Sequence, residues 1–263
     1  MITAQVAHEH VSHDPVFVAA SIGFALVGSF AALVSSIRIP NARGAGRLRW
    51  IAASAIALGG GAIWCMHFMG MLGYHVASRQ IEYDIPLTAL SLVLAIGVSA
   101  LGLAIVGKNP GSPARLLFSG VLAGAGVAAM HYTGMAAMRV GSSVHYDPAL
   151  VGASIAIAVV AATAALWIAF RVRTTAQIAG ASVIMAVAVC GMHYTGMAAT
   201  QVSLTERLLP VNGADPITLT FGVCLIAFTV LALIIFAAFG GLSDETAVTR
   251  HDARPVPTGR HSG

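Results

Sequence analysis

Charged side chains are scarce in this chain. Of its 263 residues, 14 are Lys or Arg and 10 are Asp or Glu, which together make 9%, whereas a soluble domain carries about 25%. This scarcity excludes a soluble enzyme, a disordered chain and a coiled coil. The three cysteines are an odd number, so they imply no disulfide framework. No basic run suits a nucleic acid, and we expect no nucleic-acid partner.

Apolar residues dominate instead, at 57% of the chain, with a mean hydropathy of +0.84. A helix that spans a bilayer needs about 20 mostly apolar residues. Seven stretches meet that requirement, and short polar connections join them. We therefore predict an all-α fold, a seven-transmembrane helix bundle in a lipid bilayer. The predicted spans are Val16–Ile37, Leu48–Leu72, Ile85–Gly107, Arg115–Met138, Ala149–Phe170, Gln177–Ala199 and Ile217–Phe239.

The basic residues predict how the bundle is oriented. Eleven of them flank one end of the spans or lie in the C-terminal tail, and three flank the other end: Arg79, Arg139 and Arg207. Cytoplasmic loops carry the excess of Lys and Arg, so we expect the N-terminus outside and the C-terminus inside. The sequence predicts a periplasmic segment at 1–15, a seven-helix membrane domain at 16–239 and a disordered cytoplasmic tail at 240–263.

Three segments of the chain repeat one another. They read Trp64-Cys-Met-His-Phe-Met-Gly-Met71, Val127-Ala-Ala-Met-His-Tyr-Thr-Gly-Met135 and Val189-Cys-Gly-Met-His-Tyr-Thr-Gly-Met197. Their histidines are 64 and 62 residues apart, which is two membrane crossings. The bundle is therefore predicted as one helix plus three repeated helix pairs. Each motif is followed by an acidic residue and a proline that open the next helix, at Asp84, Asp147 and Asp215.

The repeat predicts where the three histidines lie. Each motif ends an outward-running helix, so the three imidazoles share one depth near the outer edge of the hydrocarbon. Repeats of the same orientation are related by an axis along the membrane normal. A pseudo-threefold arrangement with the first helix as an addition would bring the three imidazoles together on that axis. Because an ionisable group in a membrane helix is costly, each histidine is a functional-site hypothesis.

Each histidine shares its helix face with a methionine one turn later, and Cys190 extends the third of these stripes. Imidazole, thioether and thiolate together favour Cu(I) over hard cations, and zinc remains an alternative. The alternative for the methionines and cysteines is plain helix packing. The predicted metal ligands are His67, Met71, His131, Met135, His193, Met197 and Cys190.

The Met-His-Tyr-Thr tetrapeptide on alternate helices of a seven-span bundle resembles the MHYT family of bacterial integral membrane proteins. The resemblance covers about Pro15 to Phe239. It implies an inner-membrane sensor that binds copper through the outer His and Met residues and, through copper, a diatomic gas: oxygen, carbon monoxide or nitric oxide. The first copy departs from the tetrapeptide, because Phe68 and Met69 replace Tyr and Thr.

Many members of that family attach a domain that makes or degrades cyclic di-GMP, or a kinase. The sequence here contains no such output domain, so we expect an unidentified signalling partner to read the sensor. Two other functions stay open, a copper carrier or transporter and a haem protein that uses two of the three histidines. An enzyme is not expected, since no nucleophile–base constellation or phosphate loop is present.

Other polar residues near the motifs carry weaker hypotheses. His8, His10 and His13 form a short run that is predicted as a flexible tail, with metal capture as the alternative. His75 and His145 lie in outer loops where either could support an imidazole. The three capping aspartates have the same alternative role. Trp64 and Trp167 are expected to pack or to lie at the membrane interface. Cys65 and Cys224 are expected at a similar depth.

Overall fold

The computed structural model describes residues 11–76, 81–140, 143–203 and 213–252. Within these residues, seven helices are long and apolar enough to cross a membrane, which confirms the predicted all-α bundle. The second span is composite: α2 passes into a π-helical segment and then into α3. The helices are α1 (Pro15–Ser36), α2 (Gly44–Ala55), the π segment (Ile56–Cys65), α3 (Met66–Leu72), α4 (Ile85–Lys108), α5 (Pro113–Ala137), α6 (Pro148–Ala169), α7 (Thr175–Ala198) and α8 (Pro216–Asp252).

The predicted spans agree with these helices except at the start of the second span and the end of the last. The second span begins at Gly44 rather than Leu48. The last helix continues past the predicted end at Phe239 to Asp252. No proline lies between Gly240 and Asp252, so every residue there has the N–H that a helix needs. The start of the segment predicted as a disordered tail is therefore helical, and residues 253–263 lie outside the described residues.

Four of the helices begin with the same cap. The side chains of Asp14, Asp84, Asp147 and Asp215 accept hydrogen bonds from backbone N–H groups in the first turn. Proline stands at or next to the first helical position in each case, where its missing N–H costs nothing. The predicted caps at the last three aspartates are confirmed. Asp14 adds a fourth copy of the cap, at the start of α1.

In the residues that the structure describes, three short antiparallel strand pairs each link two neighbouring membrane spans. β1 (Val11–His13) precedes α1 and pairs with β2 (Tyr74–Val76), which follows α3. In the same way β3 (Glu82–Tyr83) pairs with β4 (Met138–Arg139), and β5 (Ser143–Tyr146) pairs with β6 (Thr200–Ser203). We call the end of the bundle that carries these strands the motif face. The strands divide the first six spans into three pairs of equivalent construction.

Backbone hydrogen bonds repeat the same grouping. The N–H of each of the first three capping aspartates donates to a carbonyl two residues beyond a motif methionine. The donor–acceptor distances are 2.8 Å for Asp14 to Gly73, 2.9 Å for Asp84 to Ala137 and 2.9 Å for Asp147 to Ala199. In space, the units are therefore spans one and two, three and four, and five and six.

The six paired spans form a closed ring, and the seventh lies outside it. Around the ring, α1 contacts the second span, which contacts α4, and the contacts continue through α5, α6 and α7 back to α1. The last helix, α8, packs against α1 and the second span from outside. Arg38 also donates a hydrogen bond to the carbonyl of Ala238 in α8. In the ring, α1 thus takes the place that α8 would occupy if the three repeats of the sequence were also the three units of the structure.

Close approach of the ring helices depends on glycine. A Cβ at Gly28 would lie 2.3 Å from the backbone N of Ala62, and one at Gly59 would lie 2.4 Å from the carbonyl O of Ala95. Such contacts leave no room for a side chain, as expected for helices that pack through small residues in lipid. Large apolar side chains such as Val93, Val160 and Phe236 are exposed on the outside of the bundle.

Candidate metal centre

The three motif histidines meet inside the ring. His67 lies on α3, His131 on α5 and His193 on α7, and each side chain is at most 1% exposed. The Nδ1 atom of His67 lies 3.0 Å from Nδ1 of His193 and 3.1 Å from Nδ1 of His131. Potential ligand atoms of the three rings all lie within 4.8 Å of one another. The predicted convergence of the imidazoles is therefore present.

Each imidazole fills a hollow in the next motif around the ring. A Cβ added at Gly134 would lie 2.2 Å from Nε2 of His67. Nε2 of His131 takes the same position at Gly196, and Nε2 of His193 takes it at Gly70, at 2.3 Å in both cases. The motif glycine, three residues after each histidine, is thus the seat of a neighbour's ring. Any side chain at these glycines would collide with an imidazole.

An aromatic layer covers the histidines toward the motif face. The residue after each histidine is aromatic, and it contacts the residue that precedes a capping aspartate. Phe68 lies 5.7 Å from Tyr83, Tyr132 lies 5.7 Å from Tyr146, and Tyr194 lies 5.9 Å from His13, measured between ring centroids. We call His13, Tyr83 and Tyr146 the lid residues. Two of them are phenols, and the third is an imidazole.

Three buried serines connect neighbouring units below this layer. Each lies seven residues after a capping aspartate: Ser21, Ser91 and Ser154. The hydroxyl of Tyr194 lies 2.9 Å from Oγ of Ser21, and that of Tyr132 lies 2.7 Å from Oγ of Ser154. The first motif has Phe68 at this position, and the indole N–H of Trp64 donates to Ser91 instead, at 2.9 Å. The same link between units is thus made in all three places.

The triad has the nitrogen chemistry of a metal site. Neutral imidazole carries one lone pair and one N–H, and two lone pairs that face each other at about 3 Å repel unless a proton or a cation lies between them. Two nitrogens 3.0–3.1 Å apart are within the reach of a common ion with bonds of about 2.0 Å. Within the described residues the three Nε2 atoms are buried and accept or donate no hydrogen bond. The donor set therefore fits a soft or borderline cation at the Nδ1 atoms.

The structure places the remaining predicted ligands as follows. Met71, Met135 and Met197 are buried, at most 2% exposed, at the same end of the bundle as the histidines. Cys190 is half-buried on α7. In the part of the chain that the structure describes, the cluster of His, Cys and carboxylate ligands comprises His67, His131 and His193 and does not include Cys190. The ligand roles of the methionines and of Cys190 stay predictions.

The polar residues with weaker hypotheses lie around the site rather than in it. Asp84 caps its helix and forms an ion pair with Arg139 at 2.8 Å. That guanidinium holds the pKa of the Asp84 carboxyl below its ordinary value of 3.8, and the N–H of Leu87 adds to the effect. His75 and His145 are exposed on β2 and β5. Trp64 packs inside the bundle as predicted, and Trp167 is 48% exposed beneath Arg171, as expected at the interface.

Sequence reasoning missed the lid and the serine links. The histidine run was predicted as a flexible tail, but His13 belongs to β1 and contacts Tyr74 and Tyr194, while His8 and His10 lie outside the described residues. A signal for both features is present in the sequence. Asp14-Pro15 matches the other Asp-Pro caps, and a serine follows each of the first three caps at the same spacing.

Comparison with known proteins agrees with this architecture. The family model described as "Bacterial signalling protein N terminal repeat", MHYT, matches residues 60–119, 124–182 and 187–249. The chain is 42% identical over 198 residues to the bifunctional diguanylate cyclase/cyclic di-GMP phosphodiesterase MucR of Pseudomonas aeruginosa. That match covers 73% of this chain and 29% of the relative.

Two further relatives match more distantly. An uncharacterized signaling protein of Caulobacter vibrioides is 30% identical over 242 residues, which is 90% of this chain and 29% of that protein. The signaling protein YkoW of Bacillus subtilis is 33% identical over 146 residues, which is 54% of this chain and 17% of that protein. The chain thus spans less than a third of the length of these relatives. No solved structure matches the chain.

Proposed function

Because this chain belongs to the MHYT family of bacterial signalling proteins, a multi-pass family of the inner membrane, we propose that it is a sensor whose input site is the His67–His131–His193 triad. The proposed ligand of the triad is copper, with the motif methionines as further soft donors. The convergence of three buried Nδ1 atoms carries this proposal. A copper ion in that position would supply an open coordination place for a diatomic gas.

The chain's own residues give the triad its properties. The glycine seats fix each imidazole plane, so the three Nδ1 atoms face one another without reorganisation. The aromatic layer and the lid residues keep bulk water away from the rings. The Tyr–Ser and Trp–Ser bonds connect each motif helix to the first helix of the next unit. A displacement at one imidazole is therefore passed to a neighbouring helix pair, which is what a two-state signalling element requires.

The proposed readout is cyclic di-GMP metabolism. Two relatives of this chain in Pseudomonas aeruginosa, MucR and NbdA, are named as enzymes that make or degrade this nucleotide, and the match covers less than a third of the length of each. We propose that the bundle regulates such an enzyme, in the same polypeptide or in a partner. The basic residues at the end opposite the motif face support an orientation with the motif face in the periplasm.

The two alternatives receive less support from the geometry. A haem with two axial histidines has to insert a flat macrocycle between them, and these imidazoles touch one another inside a closed ring of helices. A transporter is expected to carry ionisable groups or broken helices along a path through the membrane, and the triad lies at one end of its helices rather than along such a path.

Metal analysis tests the proposal directly. The full chain is purified in detergent, reconstituted with copper under reducing conditions, and compared with the double variant His131→Ala/His193→Ala. We expect bound copper in the native chain and its loss in the double variant. His145→Ala, which removes an exposed histidine of β5, is the matched control and should bind as the native chain does. Equal copper in the native chain and the double variant contradicts the site.

A further inference from the structure

The three lid residues differ in one respect that the threefold arrangement makes visible. Tyr83 is 1% exposed and Tyr146 is half-buried, whereas His13 is exposed to the water at the motif face. All three precede a capping aspartate and contact the aromatic residue next to a motif histidine. Two of the sectors above the triad are therefore closed by a phenol. The sector between α1 and α7 is closed by an accessible imidazole.

A continuous line of rings leads from His13 to the triad. The imidazole of His13 contacts the ring of Tyr194 at 5.9 Å, and Tyr194 contacts the ring of His193 at 4.8 Å. The ring of Tyr74 also contacts His13, at 5.6 Å. The hydrogen bond of Tyr194 to Ser21 holds this phenol against α1. A single side chain, that of Tyr194, thus separates His193 from His13, which lies on the aqueous side.

The chemistry of the lid residues separates them further. Partial burial lowers the pKa of the His13 imidazole below its ordinary value of 6.5, and the nearby His75 lowers it more. This shift favours the neutral imidazole, which offers the lone pair that a soft cation binds. Burial raises the pKa of the hydroxyls of Tyr83 and Tyr146. These groups stay protonated phenols, which are poor ligands for Cu(I).

We infer that His13 is a transient metal ligand through which a copper ion reaches the histidine triad, by way of the sector between α1 and α7. The inference rests on the proposed function, since it concerns the loading of the proposed site. His13 binds the ion at the aqueous surface, and the ion then passes Tyr194 to the deeper Nδ1 atoms. His13 holds no place in the final ligand set.

Loading kinetics test this role. The metal-free full chain in detergent is mixed with Cu(I) held by a weak chelator, and copper uptake is followed over time and at equilibrium. His13→Phe removes the nitrogen donor and keeps a ring over Tyr194. We expect uptake to slow by about tenfold or more, with the same copper content at equilibrium. Tyr146→Phe changes the equivalent lid residue and should load at the native rate.

A gain of function sharpens the test. Adding Tyr146→His to His13→Phe creates an imidazole over Tyr132 in the neighbouring sector, and uptake should recover. Equal loading rates in His13→Phe and the native chain overturn the inference while leaving the triad as the site. A lower copper content at equilibrium in His13→Phe also overturns it, because His13 would then be a resident ligand. A native chain that binds no copper overturns the proposed function itself.

Discussion

The first copy of the motif and the two later copies reach the same structure with different residues. His, Gly and Met occupy corresponding positions in all three copies. Each imidazole packs on a motif glycine in the same way, and the three imidazoles form one cluster. The Tyr and Thr of the later copies are replaced by Phe68 and Met69 in the first. Trp64 then makes the hydrogen bond to Ser91 that a tyrosine makes elsewhere. The parts common to all three copies are thus the imidazole, its glycine seat and the serine link, while the donor of that link differs by one helical turn.

The largest effect that can break this comparison is expected at a glycine seat. Gly134→Ala places a Cβ where Nε2 of His67 now lies, so the ring and its helix must shift. We expect unfolding free energy to fall by about 1–3 kcal/mol or more, together with loss of copper binding, measured by denaturant unfolding in detergent and metal analysis. If the three copies are equivalent, Gly70→Ala and Gly196→Ala behave alike.

Gly191→Ala is the matched control for these variants. It lies on α7, within the third motif segment, and a Cβ there meets nothing within 4 Å. Stability should be unchanged or slightly higher, since alanine favours a helix more than glycine does. A loss at Gly191 equal to the loss at Gly134 would mean that the seats have no special role.

The substituted link in the first copy gives the next effect. Trp64→Phe removes the indole N–H that donates to Ser91 and leaves space in a buried site. We expect a loss of about 2 kcal/mol from the hydrogen bond and the packing together. Adding Phe68→Tyr should restore part of that loss, because a phenol at this position is what the other copies use. No recovery in the double variant would show that the first copy is built differently.

Smaller and equal effects are expected at the two tyrosine links. Tyr132→Phe and Tyr194→Phe each remove a tyrosine hydroxyl that is hydrogen-bonded to a serine. The serine keeps its own hydrogen bond to a backbone carbonyl. Each substitution should lower the unfolding free energy by about 1 kcal/mol. Unequal losses would show that the pseudo-threefold relation does not extend to energetics.

The smallest effect concerns the surface ion pair of the second unit. Arg139 lowers the pKa of Asp84 in the folded protein. A lowered folded pKa gives stability that is present above the unfolded value of 3.8 and is lost as the pH falls through the folded value. Arg139→Gln should therefore lower stability slightly at neutral pH, because the pair is exposed, and this difference from the native chain should shrink as the pH falls below 3.8. The acid side of the pH–stability profile, read from thermal unfolding, becomes flatter. A loss that is larger near pH 3 than at pH 7 contradicts this.

The spans and the convergence of His67, His131 and His193 could be predicted because both depend on regular spacing. The length of an apolar stretch predicts a membrane-spanning helix, and a repeat of two membrane crossings predicts that the three histidines lie at the same depth. The place of α1 in the ring could not be predicted, because it depends on strand pairs such as Val11–Val76 that join distant residues across loops. The position of His13 over the motif could not be predicted for the same reason, because it depends on the pairing of β1 with β2. The sequence also left open which further groups complete the ligand set, since a shared helix face does not fix where a long side chain ends.

The glycine seats give the triad a handedness. Each imidazole packs on the glycine of the following unit, and the third packs on the glycine of the first, so the three contacts run in one direction around the axis. If one imidazole turned away from its glycine seat, the helix of the next unit would lose a packing contact and the imidazole on that helix would be free to shift. A displacement of one ring would therefore be shared by all three within a single polypeptide, as happens between the subunits of a symmetric oligomer.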